Sequence, residues 1–151
     1  MHLLQAHSLS ALAVLGLASM SHGLGINCRG SALCSSSDSY TAENLRSSIG
    51  GVPDDKYFPK GKHIACDRGG VTWVPIPGVP ATGGGICAFV QNIDGMLGKD
   101  LKRLAGFIVD HGCNVCGSVP TDYPDSNNVK DGQLTFNYVS SPDCEEGICD
   151  D

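Results

Sequence analysis

Eight cysteines constrain this chain more than any other feature: Cys28, Cys34, Cys66, Cys87, Cys113, Cys116, Cys144 and Cys149, all after the first 23 residues. What precedes them decides their chemistry. "LSALAVLGLASM" is an apolar run too short to cross a bilayer, and Ser21-His22-Gly23 offers small residues at the positions a signal peptidase reads. The flank before it carries His2 and His7 but no Lys or Arg, so its positive region is weak. We expect residues 1–23 to be a secretory signal peptide and residues 24–151 to form one secreted, extracellular domain. An even cysteine count in a small exported chain predicts four disulfides, although spacing alone does not choose their connectivity.

Charge narrows the function. The first 23 residues hold no Asp, Glu, Lys or Arg, so the formal net charge of −6 belongs wholly to the remainder. An acidic surface argues against nucleic-acid binding and general adsorption to membranes. No later stretch is apolar enough for stable membrane insertion. Aromatic residues make up only 6% of the chain while glycines number 20, which implies many turns and a modest core in need of covalent support.

Local patterns predict the elements. "LGINCRGSALC" (24–34) reads as a short strand and a Gly-Ser turn. Thr41 is placed to cap a helix over "AENLRSSI", with Glu43 in its first turn, Leu45 and Ile49 on one face, and Gly50-Gly51 as the stop. Residues 52–64 form a connection punctuated by Pro and Gly. "GVTWVPIPGVPATGGG" contains three prolines and five glycines, which fits an extended loop or edge segment. "ICAFVQNI" reads as a strand. "KDLKRLAGFIVDHG" has Leu101, Leu104, Ala105 and Ile108 at helical spacing, a start at Lys99 or Asp100, and Gly112 as its C-terminal stop. "GQLTFNYV" alternates, with Leu134, Phe136 and Tyr138 on one face, after an Asp131-Gly132 turn.

"DHGCNVCGS" (110–118) poses the chemical question. A C-x-x-C pair can be a redox dithiol, half of a zinc site with Cys28 and Cys34, or the ends of two structural disulfides. Reactive dithiols sit at helix N-termini, where the dipole favours the thiolate, whereas this pair follows a helix C-terminus and precedes a turn at Gly117-Ser118-Val119-Pro120. An oxidising exterior disfavours thiolate-bound zinc. Two separate disulfides are the expected use. Nothing else supports catalysis, a metal or a cofactor. His111 suits a helix C-terminal capping cation, and Gly83-Gly84-Gly85 lacks the Lys-Ser/Thr of a phosphate loop and reads as a turn. Asp54-Asp55, Glu145-Glu146 and Asp150-Asp151 read as solvated charge. We expect a non-enzyme.

One segment stands out against the acidic background. "KYFPKGKHIACDR" (56–68) holds Lys56, Lys60, Lys62 and Arg68, four of the ten Lys plus Arg, with His63 among them. An ordinary solvated loop is one account of it. The other is a basic patch anchored by Cys66 that presents cations to an acidic partner.

"LGINCRGS" (24–31), Cys34, "ICAFVQ" (86–91), "HGCNVCGS" (111–118) and "GQLTFNYV" (132–139) together resemble the secreted fungal killer toxins typified by killer protein four of corn smut virus. The middle, roughly 40–84, departs most. The resemblance implies an α/β (α+β) sandwich: an antiparallel sheet with helices on one face, disulfide-rich, a single domain. It implies Cys28–Cys113 and Cys34–Cys116 bridges, the former worth about 4–5 kcal/mol as a long closed loop. Cys87 has no counterpart in the best-known toxin, so the resemblance leaves the pairing of Cys66, Cys87, Cys144 and Cys149 open, and Cys66–Cys87 with Cys144–Cys149 is the expectation. It also implies a non-catalytic toxin that blocks calcium uptake through channels of fungal cells and can inhibit plant cells. That toxin is basic, and its functional lysine falls on Ile64 here. Lys60, Lys62 and His63 therefore stand as the candidate target-binding residues of a monomer, the target being a calcium channel or other surface target of a fungal or plant cell. The alternative is a secreted effector or surface-binding module that kept the scaffold and lost channel block.

Overall fold

The strongest strand signal lies at the centre of the sheet. The computed structural model describes residues 25–37, 40–68 and 84–149; the expected signal peptide and most of the Pro/Gly-rich segment lie outside them. β3 (Gly85–Gln91) and β6 (Gln133–Val139) pair antiparallel over their whole length. β5 (Gly117–Pro120) flanks β6, β2 (His63–Asp67) flanks β3, and β7 (Glu146–Ile148) adds the far edge, giving the order β5-β6-β3-β2-β7. A small ribbon pairs β1 (Tyr57–Pro59) with β4 (Gly95–Leu97).

Alternation divides the sheet into two faces. Ile86, Ala88, Val90, Leu134 and Phe136 are fully buried and face α1 (Thr41–Gly50) and α2 (Gly98–Asp110). The helices contribute Leu45 and Ile49, and Leu101, Leu104, Ala105 and Ile108. The opposite face carries a separate cluster of Cys66, Cys87 and Cys149 with Phe89, Val139 and Cys144 against it. The four bridges are Cys28–Cys113, Cys34–Cys116, Cys66–Cys87 and Cys144–Cys149. The fold is thus the disulfide-tied α/β arrangement of antiparallel sheet and one-sided helices.

Several local expectations change. Residues 117–120 form an edge strand, because the extended partner β6 supplies hydrogen bonds that so short a segment could not organise alone, and Val119 is buried. Thr41 does not cap α1; it is the first helical residue and fully buried, after Tyr40. A donor left open at the helix start is satisfied instead by the chain: the Ala42 N–H donates to the Asn114 carbonyl at 2.9 Å. The segment between the two cysteines of C-x-x-C therefore closes the N-terminal end of α1. Helix α2 begins at Gly98, one residue before the earlier expected start. At its other end Gly112, at φ +90°, follows the His111 cap. The N-terminal segment makes a single bridge, Asn27 with Ser118, and a 3-10 turn over Ala32–Ser36 rather than a strand. Residues 52–64 contain β1 and the start of β2, and Gly85 opens β3 rather than ending a turn. The turn before β6 is a 3-10 turn, Val129–Asp131, ending at Gly132 with φ +128°.

Candidate functional site

Strand pairing positions the basic segment. The chain reverses between β1 and β2 at Lys60-Gly61, where Gly61 takes φ +75°, a conformation that suits glycine. Backbone bonds hold this turn against the far end of β3: Lys60 N–H donates to the Asp94 carbonyl at 2.7 Å, and Gly61 N–H to the Val90 carbonyl at 2.9 Å. Lys60 is exposed at the tip, and Lys62 is half-buried beside it. The turn therefore presents lysine from a fixed backbone.

His63 opens β2 and is held from two sides. Its ring meets Phe89 edge-on with centroids 6.0 Å apart. Its Nδ1 lies 3.0 Å from the Asp143 carboxylate and 3.1 Å from the Asp143 N–H. An unprotonated Nδ1 accepts from that N–H, and a protonated Nδ1 donates to the carboxylate. Asp143 is 80 residues away in sequence, and no local signal identifies it as the partner.

The remaining cations of 56–68 are distributed differently. Lys56 Nζ lies over the Phe58 ring at 5.2 Å. Arg68 reaches Glu145 at 3.4 Å, and Asp54 pairs with Lys102 at 2.7 Å, so two of the acids expected to be merely solvated have cationic partners. Lys60, Lys62 and His63 lie together at the turn and the start of β2, whereas Lys56 and Arg68 lie at the two ends of the segment. Ile64 is fully buried in the core and presents nothing to a partner.

Cys113 and Cys116 go to different partners, and all eight cysteines are bridged. The sulfurs near His63 belong to disulfides, which are not thiolate donors for a metal. On α1, a hydrogen bond from Arg46 to Glu43 at 2.6 Å, and then the Glu43 charge, raise the Arg46 guanidinium above its ordinary value. This exposed pair is a charged surface feature away from the basic turn.

The arrangement offers cations from a turn backed by the Cys66–Cys87 bridge. The KP4 killer toxin of Ustilago maydis P4 virus is 37% identical over 124 residues, covering 80% of this chain and 84% of that toxin. The Kp4 family model matches residues 11–140, which include both helices, all the strands of the sheet except the short edge β7, and the basic turn. On that coverage the chain belongs to the Kp4 family.

Proposed function

We propose that the protein is a secreted, non-catalytic killer-toxin-like inhibitor of fungal or plant cells that acts by binding a surface target, with calcium uptake through channels as the process blocked. In this reading residues 1–23 are the leader and residues 24–151 act as a monomer. The observation that carries it is membership of the killer-toxin family together with a basic turn held in fixed geometry on an otherwise acidic protein. Lys60, Lys62 and His63 face the acidic groups of the target, and electrostatic attraction speeds encounter even though the whole protein is negative. Four disulfides support stability outside the cell. The test is calcium uptake by susceptible hyphae exposed to the purified protein and to Lys62→Gln. Reduced uptake, weakened in the variant, supports channel block; unchanged uptake at every dose removes it, and a fully active variant clears Lys62.

Two observations favour the second reading, a binding module without channel block: the net charge of −6 and the burial of Ile64 at the place of the toxin's lysine. That reading predicts capture of a host surface component or cell-wall glycan by a protein that leaves calcium uptake unaltered.

A further inference from the structure

Beside the basic turn, on the face of the sheet opposite the helices, lies a cleft of about 310 Å³. Lys60, Gly61, His63, Phe89, Gln91 and Val139 line it. Its size is at the low end for a binding pocket, suited to one side chain or a small acid rather than a peptide segment. Gly61 contributes to the opening, since a Cβ at that position would meet open space.

The polar side chains of the cleft are Lys60, His63, Gln91 and Asn92, and the last donates its Nδ2 to the Val129 carbonyl at 2.9 Å. Gln91 Oε1 accepts from Gln133 Nε2 at 2.9 Å and from Thr135 Oγ1 at 2.8 Å, which occupies both its lone pairs. These bonds fix the amide so that its two Nε2 hydrogens remain for a ligand. The engagement of His63 Nδ1 by Asp143 leaves Nε2 as that ring's other polar atom. Lys60 adds a full positive charge at the rim. Among the described residues no carboxylate lines the cleft, and Asp143 contacts the far side of the imidazole. Phe89 and Val139 supply apolar wall between these donors. The Lys60 cation and the Gln91 amide beside an apolar wall complement an anion on a short hydrocarbon stem.

We infer that this cleft receives one carboxylate on a short apolar stem, the end of an acidic side chain of the target protein. This rests on the proposed target-binding role of the turn and names the chemistry of what the turn meets. Lys60 neutralises the charge, the Gln91 amide donates to a carboxylate oxygen, and the stem packs on Phe89 and Val139.

The test needs no cells. The isotopically labelled, disulfide-bonded protein is titrated with N-acetylglutamate α-methylamide up to about 50 mM, the range of a single weak side-chain contact. The isosteric N-acetylglutamine α-methylamide serves as the neutral control. Saturating amide shifts are expected at Lys60, Gly61, His63 and Gln91, including the Gln91 side-chain amide, with the neutral control at least about fivefold weaker. Lys60→Gln, an exposed change, is expected to weaken the acid by a similar factor while leaving the control unaffected. Equal binding of acid and amide, shifts centred elsewhere, or no saturable shift would each overturn the inference. A silent titration alongside Lys60-dependent inhibition of cells removes the cleft and keeps the proposed function; a positive titration with no effect on cells does the reverse.

Discussion

Removing the two bridges of the C-x-x-C segment, singly and together, is expected to give strongly non-additive losses of stability. Cys28–Cys113 and Cys34–Cys116 join nearby points on the same two stretches of chain, with sequence separations of 85 and 82. Whichever forms first closes a loop of about 85 residues, and in the chain-entropy relation that constraint is worth about 4.6 kcal/mol. The second then closes only the short ring between the bridges: the six steps from Cys28 to Cys34 and the three from Cys113 to Cys116. A ring of about nine residues is worth about 2.6 kcal/mol. Replacing Cys28 and Cys113 by alanine, with Cys34–Cys116 intact, should therefore cost about 2.6 kcal/mol rather than the 4–5 kcal/mol of an isolated long loop. The converse pair should cost about the same. Loss of both should cost about 7 kcal/mol, about 2 kcal/mol more than the two single losses together. Urea unfolding under non-reducing conditions measures each value. If either single removal costs the full long-loop amount, or if the two losses add without excess, the reasoning is refuted.

Two glycines of α2 should respond in opposite directions. Gly98→Ala would drive a methyl onto the Pro53 carbonyl oxygen and should cost about 1–3 kcal/mol. Gly106→Ala meets open space in the helix interior and should stabilise by about 0.5–1 kcal/mol, both values read from urea midpoints. On graded reduction with a small thiol, Cys66–Cys87 should open last, because both residues are buried, at 1% and 0% exposure, whereas exposed Cys28 and half-buried Cys34 and Cys144 give each of the other three bridges a more accessible end. Alkylation and mass mapping report the order, and early labelling of Cys66 or Cys87 would contradict it.

The parts of the fold that sequence makes visible are those whose pattern is local. The alternation of Leu134, Phe136 and Tyr138 and the helical spacing from Leu101 to Ile108 each mark a buried face within one element. β5 carries no such mark, since Gly-Ser-Val-Pro is turn-like in composition and is extended only because β6 lies alongside. Thr41 has the residue type of a cap, yet the competing partner is a carbonyl from Asn114, over 70 positions away, and that contact exists only in the folded chain. The same holds for the candidate site. A concentration of Lys60, Lys62 and His63 is visible in a string of letters. The imidazole's attachment to Asp143 and the amide orientation of Gln91 follow from strand register and hairpin closure, which no spacing rule encodes. Cysteine count predicts that bridges exist; their partners depend on which chain segments the sheet brings together.

In the proposed function the basic turn, rather than the scaffold as a whole, acts on the target cell. The direct measurement is a growth-inhibition dose response on susceptible cells for the wild-type protein and Lys60→Gln/Lys62→Gln, with the urea midpoint of both recorded. Neither lysine belongs to the buried core, so the midpoint should hold within about 0.5 kcal/mol. A loss of potency of about tenfold or more is expected at that unchanged stability, corresponding to about 1.4 kcal/mol of target binding. Full potency in a stably folded variant would contradict it.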